Sequence, residues 1–222
     1  MKLTEATKLR VLYFLVFSCT ASWLPIFADY LKDRGLTGIE ISTVLSVTPL
    51  MMFVMQPVFG YLSDKFGYKK ALLVATLFAA LSYVLYLAEG NFVSYLLITA
   101  CMSLFYNSTQ PLLDSLSLQL VQKDPTFSYG SLRVAGAAGW ACTGTVTGYF
   151  IDQINIAVIF IFSAATMFLA FICTFSLAGD ANVSDSAGEK KKHSVVDVLQ
   201  NRDLLFLLFC VFLISTGGTT IW

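Results

Sequence analysis

Charged residues are scarce in this sequence of 222 residues. They make up 13% of it, with 14 Lys and Arg against 14 Asp and Glu, whereas soluble domains carry about a quarter. This scarcity excludes a soluble enzyme and a disordered protein, and the zero formal net charge provides no basic surface for nucleic acid. Hydrophobic residues account for 57% of the sequence and form long uncharged runs, which are typical of membrane spans. The sequence therefore predicts a polytopic membrane protein.

Residues suited to metal binding or covalent catalysis are also few. There is one histidine, and the five cysteines lie inside apolar runs without the spacing of metal ligands. Buried reduced thiols that pack as small hydrophobic groups are the expected state of these cysteines. The sequence contains no nucleophile, phosphate-binding or metalloprotease motif. We therefore expect no enzymatic activity, no metal and no cofactor.

Seven apolar segments are long enough to cross about 30 Å of hydrocarbon as helices, at about 1.5 Å per residue. Helices are required because an open strand would leave backbone groups unpaired in lipid. Six segments are full spans, and a seventh begins after Arg202 and Asp203. The predicted ranges are 9–31, 39–62, 71–87, 92–121, 128–150, 154–177 and 204–222. We expect an all-α integral membrane protein.

One long polar connection separates the last span from the others. Residues 179–203 are rich in Ser, Asp, Lys and Gly, which predicts a flexible linker. It would join a six-helix transmembrane domain, residues 1–178, to a further helix, residues 204–222. Because this seventh span has no partner, we expect the polypeptide to be part of a larger protein or a truncated product.

Cations are concentrated on one side of the predicted spans. With the N-terminus placed inside, eleven of the fourteen Lys and Arg residues fall in inside segments and two in outside loops, and Arg133 lies within a span. Membrane proteins carry their excess of Lys and Arg on the cytoplasmic side. The distribution predicts a cytoplasmic N-terminus.

Two ionisable residues lie deep in the spans, where charge is costly and usually functional. Asp114 and Arg133 are ten and nine residues from Asp124, so they have similar depth on consecutive antiparallel helices. An ion pair or a shared ligand is therefore within geometric reach. The alternative is that both side chains snorkel to the inner headgroups. Asp29, near the outer end of the first span, is interpreted as an interfacial charge.

Helical spacing extends this candidate site. The fourth span carries a polar stripe, at steps of four, three and four, that must face a cavity or another helix: Ser103, Asn107, Gln110 and Asp114. On the fifth span Trp140 follows Arg133 by seven residues and shares its face, with space expected beside Gly136. Charged groups separated by a gap from an aromatic ring suit a sugar. Its hydroxyls can hydrogen-bond to the charged groups while its apolar face stacks on the indole.

Glycine is enriched on the fifth span. Five glycines occur there: Gly130, Gly136, Gly139, Gly144 and Gly148. Gly144 and Gly148 form a small-xxx-small pair, which predicts close helix packing at those two positions.

The connection between the second and third spans reads GYLSDKFGYKK. It resembles the G-x-x-x-D-[RK]-x-G-x-[RK]-[RK] signature of the major facilitator superfamily, and these residues match it: Gly60, Asp64, Lys65, Gly67, Lys69 and Lys70. The resemblance implies a conformational role, in which the loop braces one state of a transporter. The alternative is a generic short cytoplasmic loop.

Residues 106–114 (YNSTQPLLD) and 129–140 (YGSLRVAGAAGW) carry a more specific resemblance. They look like the lactose permease group of oligosaccharide/proton symporters, and the phenylpropionate permease-like group is also similar. By position, the resemblance implies substrate binding by Asp114, Arg133, Trp140 and Asn107. Asp114 stands where the permease has the longer Glu, which leaves galactoside specificity open.

This resemblance covers essentially the whole chain and implies the N-terminal half of a twelve-helix transporter, itself an inverted repeat of three helices plus three. It implies proton-coupled uptake of a sugar-class solute by alternating access in the cell inner membrane. The expected partners are a small-molecule substrate, protons, the lipid bilayer and the missing C-terminal half, which would hold most proton-coupling residues. Two alternatives stay open: uptake of a small aromatic acid or nucleoside, and a non-transporting fragment.

Overall fold

The computed structural model describes residues 4–123 and 128–177 and the single positions Phe206 and Cys210. The chain divides into two units, Met1–Val183 and Ser184–Trp222, and the helices considered below belong to the first. The predicted linker, residues 179–203, and the predicted seventh span, residues 204–222, lie outside the described residues apart from those two positions. Both remain predictions.

The first six predicted spans all coincide with helices. The first is broken near Pro25, with α1 over Glu5–Trp23, a 3-10 turn over Leu24–Ile26 and α2 over Phe27–Asp33. The other five are continuous: α3 Gly38–Phe66, α4 Tyr68–Leu85, α5 Phe92–Lys123, α6 Tyr129–Gln153 and α7 Val158–Ser176. Residues 4–123 and 128–177 contain no strand, which confirms the predicted all-α class.

Local sequence determines where α3 starts and stops. Thr37 and Glu40 form a capping box at its N-terminus, in which the Thr37 amide donates to the Glu40 carboxylate over 2.8 Å. At the other end Gly67 has a φ of 94°, a conformation that favours glycine. The loop signature thus contains a one-residue turn at Gly67, since α3 ends at Phe66 and α4 begins at Tyr68, and its other residues lie on these two helices.

Five helical segments within the described ranges have the length and apolar composition of membrane spans: the first span as a whole, α3, α4, α5 and α7. Although α6 is not among them, its 25 residues would extend about 37 Å, more than the hydrocarbon thickness. Arg133, Asp152 and many Gly and Thr residues make this helix less apolar. This composition indicates that part of α6 faces something other than lipid.

The helices are packed unevenly. α1 packs against α6 and α7, α4 against α5 and α7, and α3 against α5. Ten of the 19 residues of α1 are buried, compared with three of 29 in α3 and four of 25 in α6. α3 and α6 therefore present long open faces.

Two lysines bind the last carbonyls of α7. Lys8 Nζ donates to the Ser176 carbonyl over 2.7 Å, and Lys69 Nζ donates to the Leu177 carbonyl. Cations at this position satisfy free carbonyls and the negative end of the helix dipole. The start of α1, the start of α4 and the end of α7 thus lie at one end of the bundle, called here the N-terminal end.

Gly139 sets the closest approach of α6 to α1. A Cβ at Gly139 would lie 2.3 Å from the Phe14 carbonyl oxygen, and the Ser18 hydroxyl donates to the Gly139 carbonyl over 3.3 Å. The close packing predicted at Gly144 and Gly148 is wrong for the described part of the chain, where no atom lies within 4 Å of a Cβ at either position. Spacing alone does not reveal which glycines face α1.

We expect Gly139→Ala to lower the thermal stability of the detergent-purified protein, because its methyl group would push α6 away from the α1 backbone. Overpacking of this kind costs about 1–3 kcal/mol. Gly144→Ala, five residues along the same helix, is the matched control and should melt like the parent. Equal melting temperatures for both variants would contradict the described α1–α6 contact.

Candidate functional site

Asp114 and Arg133 form an ion pair between α5 and α6. Arg133 Nη1 donates to Asp114 Oδ2 over 3.3 Å, and the two side chains are 43% and 23% exposed respectively. The two helices otherwise have little direct contact, since α1 rather than α5 packs along α6. The long arginine side chain therefore bridges two helices that have little other contact.

A tyrosine on α1, which no sequence pattern predicts, is the second partner of Asp114. The hydroxyl of the fully buried Tyr13 donates to Asp114 Oδ1 over 2.6 Å. Each carboxylate oxygen of Asp114 thus has its own donor, one a phenol and the other a guanidinium. Sequence carries little signal for this contact, because hydropathy treats Tyr as apolar and 101 positions separate the two residues.

Arg133 also lies against two aromatic rings. Its Nη1 donates to the Tyr129 hydroxyl over 3.0 Å, and its guanidinium carbon is 5.8 Å from the centre of the Phe17 ring. The latter distance is within the range of a cation–π interaction. Tyr129 precedes Arg133 by four residues, so helical spacing could have identified it. The prediction of open space beside Gly136 is wrong, because the Phe17 ring would lie 3.0 Å from a Cβ there.

The polar stripe of α5 is divided between a helix contact and a cavity. The Ser103 hydroxyl donates to the Thr48 hydroxyl over 3.2 Å and Asn107 Nδ2 donates to the Thr48 carbonyl over 2.9 Å, which fastens α5 to α3. Asn107 also lines a cavity of about 290 Å³, together with Gln110 and Asp114. The amide nitrogen of Asn107 is therefore already used by the protein.

This cavity, called the α1–α5 cavity, lies among α1, α3 and α5. Its lining residues are mostly neutral and polar or apolar: Val16, Thr20, Met52, Tyr106, Asn107, Thr109, Gln110, Pro111 and Asp114. The Tyr106 hydroxyl donates to the Thr20 hydroxyl over 2.9 Å, which ties two walls together. Within residues 4–123 and 128–177, the cavity included, no group of three or more His, Cys, Asp or Glu could hold a metal ion.

Trp140 lies on the open face of α6 and is 39% exposed. It is seven residues after Arg133, or about 10 Å along the helix axis. The structure therefore brings Asp114 and Arg133 into contact and places Asn107 with Asp114 on one cavity wall. Trp140 stands two turns away, outside the lining of the α1–α5 cavity.

The loop signature lies at the N-terminal end of the bundle and does not line the α1–α5 cavity. Gly60 and Asp64 line a neighbouring cavity of about 310 Å³ between α3 and α5, which shares Pro111 with the α1–α5 cavity. No described atom lies within 4 Å of a Cβ at Gly60. The position of the signature separates any role it has from ligand binding in the α1–α5 cavity.

Tyr13→Phe should lower the melting temperature of the purified protein by a few degrees, because Asp114 loses a charge-assisted hydrogen bond of about 1.5–3 kcal/mol. Tyr149→Phe is the matched control, since Tyr149 is 64% exposed and makes no described hydrogen bond. If Tyr13→Phe melted like this control, the hydroxyl of Tyr13 would have no structural role at Asp114.

Comparisons with known proteins agree on one family. The profile of the MFS_1 like family, where MFS denotes the major facilitator superfamily, matches residues 6–222. The transporter YwbF of Bacillus subtilis, itself uncharacterised, is 30% identical over 92% of this chain and 51% of its own length. The maltose permease of Geobacillus stearothermophilus is 29% identical over 94% of this chain and 52% of its own length. The sucrose permease of Escherichia coli is 28% identical over 91% of this chain and 51% of its own length.

Solved structures show the same fold. The nucleoside transporter NupG superposes with a TM-score of 0.77 at 19% identity, over 96% of this chain and 53% of that chain. This chain spans about half the length of the curated relatives it matches. Those relatives are permeases and transporters rather than enzymes. The chain therefore belongs to the MFS_1 like family, within the major facilitator superfamily of membrane transporters.

Proposed function

We propose that this chain is the N-terminal half of a proton-coupled transporter that takes up an uncharged, sugar-class solute by alternating access. The solute binds at mid-depth between the two halves. Asp114 and Arg133 hydrogen-bond its hydroxyls, Trp140 stacks on its ring, and Asn107 contributes to the cavity wall. The observation that carries this proposal is the neutral Asp114–Arg133 pair, with its 3.3 Å contact.

The charge balance of the pair favours an uncharged substrate. Arg133 is already compensated by Asp114, and Asp114 is the one acidic residue in the described lining of the α1–α5 cavity. A substrate carboxylate that approached Arg133 would also meet Asp114, and like charges in a partly buried site repel strongly. A sugar hydroxyl donates to a carboxylate and accepts from a guanidinium, so it can use both partners. This argues against the aromatic acid alternative.

The relatives support the sugar class. Two of them are named as maltose and sucrose permeases, at 29% and 28% identity. A nucleoside is also uncharged and carries ribose hydroxyls, so it meets the same electrostatic condition. The likeness to NupG concerns the fold, and we therefore rank a nucleoside second.

The open faces of α3 and α6 support the proposal that the full-length transporter has a second half. Phe53 on α3 is 83% exposed and Val134 on α6 is 68% exposed, so both faces need a cover. For α6 that cover is protein or water rather than lipid, because the Arg133 side chain on this helix is 43% exposed and charge in lipid is costly. We place residues 1–178 in the inner membrane with a cytoplasmic N-terminus, followed by the linker and the first helix of the second half.

Proton coupling is assigned to groups in the second half. Both oxygens of Asp114 accept hydrogen bonds, one from Tyr13 and one from Arg133. These bonds commit both oxygens of Asp114 to joining α1, α5 and α6, so we assign proton transfer to other groups. The binding site and the proton-carrying groups are thus on different halves and communicate through the motion of one half against the other.

Asp114→Asn and Arg133→Gln should each reduce the initial rate of labelled sugar uptake by the full-length protein at least tenfold. Each change removes one of the two groups that hydrogen-bond the substrate in this proposal, and a hydrogen bond to a charged group contributes about 1.5–3 kcal/mol. Asp152→Asn and Arg10→Gln, which alter exposed charges elsewhere, are the matched controls and should transport like the parent. Site variants that were inserted normally and transported at the control rate would rule out this site.

Competition in the same assay separates the substrate classes. Unlabelled mono- and disaccharides should compete, whereas aromatic acids should not, because the neutral pair offers them no net positive charge. Competition by nucleosides but not by sugars would support the second-ranked substrate. The absence of uptake by the full-length protein for every class would favour a non-transporting role.

Addition of the transported sugar to de-energised cells that express the full-length protein should raise the external pH, because each sugar enters with a proton. A sugar that the competition assay shows to be excluded is the control and should cause no change. Sugar uptake without this alkalinisation would contradict proton coupling while leaving the binding site intact.

A further inference from the structure

An apolar groove lies between α3 and α4 at the N-terminal end of the bundle. Its volume is about 310 Å³, and it shares no residue with the α1–α5 cavity. Five of its six lining residues are apolar, and the sixth is a lysine: Phe59, Leu62, Phe66, Ala71, Val74 and Lys70. We call it the α3–α4 groove.

Two cations lie close to this groove. Lys70 lines it, and Lys65 Nζ lies 5.3 Å from the centre of the Phe66 ring, which also lines it. Both lysines are exposed, and neither forms a hydrogen bond or an ion pair within the described part of the chain. Two positive charges without a described counterion therefore lie beside the α3–α4 groove.

The neighbouring charges are directed elsewhere. Lys69, between these two cations in sequence, donates to the Leu177 carbonyl at the end of α7. Asp64 lines the neighbouring cavity between α3 and α5. No acidic residue belongs to the described lining of the α3–α4 groove. Lys70 is thus the one charged residue in the described lining, and Lys65 lies against the Phe66 ring beside it.

We propose that the α3–α4 groove binds an anionic phospholipid, with one acyl chain against Leu62 and Val74 and the phosphate beside Lys65 and Lys70. Bilayer lipid reaches an apolar groove on a membrane helix without crossing water. Lysines at a helix end present their ammonium groups at the headgroup level while their stems stay apolar. A zwitterionic lipid fits less well, because its own ammonium group would be brought close to the two lysines.

The predicted orientation agrees with this occupant. The N-terminal end of the bundle carries the excess of cations and is predicted to face the cytoplasm, where anionic lipids are enriched and attract basic segments. The bound lipid would fasten the one-residue turn at Gly67 to the membrane surface. This binding site shares no lining residue with the α1–α5 cavity, and its two lysines belong to the loop signature.

Native mass spectrometry of the full-length protein in detergent tests the proposal, with phosphatidylglycerol and phosphatidylcholine as probes. The parent should retain phosphatidylglycerol preferentially. The double variant Lys65→Gln/Lys70→Gln should retain at least about tenfold less phosphatidylglycerol, since each lysine near a membrane surface contributes attraction to anionic lipid. Arg10→Gln, which removes an exposed cation at the same end of the bundle, is the matched control and should retain lipid like the parent.

A second variant tests the groove without changing charge. Val74→Trp fills the groove from α4 and should reduce phosphatidylglycerol retention, whereas Leu97→Trp, at an exposed position outside the groove, should not. Inorganic phosphate in excess should not displace the lipid, because the acyl chain supplies part of the binding. Unchanged retention in the double lysine variant, equal retention of phosphatidylcholine by the parent, or displacement by phosphate would each overturn the proposal.

Discussion

A charge within a bilayer must be paired or in contact with water, and in this chain that constraint falls on Asp114 and Arg133. The two side chains neutralise each other over 3.3 Å, and Tyr13 satisfies the remaining carboxylate oxygen. Because the arginine must reach from α6 to α5, neither helix can be surrounded entirely by lipid. The weak apolarity of α6 and its open face both follow from this requirement. So does the chemistry of the site, since a neutral pair selects an uncharged polar ligand.

Backbone packing brings the charged groups within reach of each other. Gly139 allows α6 to lie against the backbone of α1, and this approach places Phe17 beside Arg133. A separate contact between α1 and α5 joins Tyr13 to Asp114. On the other side, Asn107 fastens α5 to α3. The α1–α5 cavity lies among α1, α3 and α5, the helices that these last two contacts join. A change in one helix of the half should therefore alter the site as well as the fold.

The fold was predictable from sequence because hydropathy and chain length dictate helices in a membrane. The Asp114–Arg133 contact was also within reach, since both residues are close in sequence to the same turn. What could not be predicted depends on helix rotation and on contacts between distant segments. Gly144 and Gly148 have the right spacing for close packing but do not face α1, and the space expected beside Gly136 contains the ring of Phe17. In the sequence Tyr13 looks like any aromatic residue in an apolar run, and only the folded structure shows its contact with Asp114.

A structure of the full-length protein with its sugar bound tests the central claim most directly. The predicted result is density for the sugar between the two halves, with hydroxyl oxygens within hydrogen-bond distance of both Asp114 and Arg133 and the ring stacked on Trp140. Sugar density that touches neither charged residue would contradict it, as would a face of α6 in which Arg133 and Trp140 point into lipid.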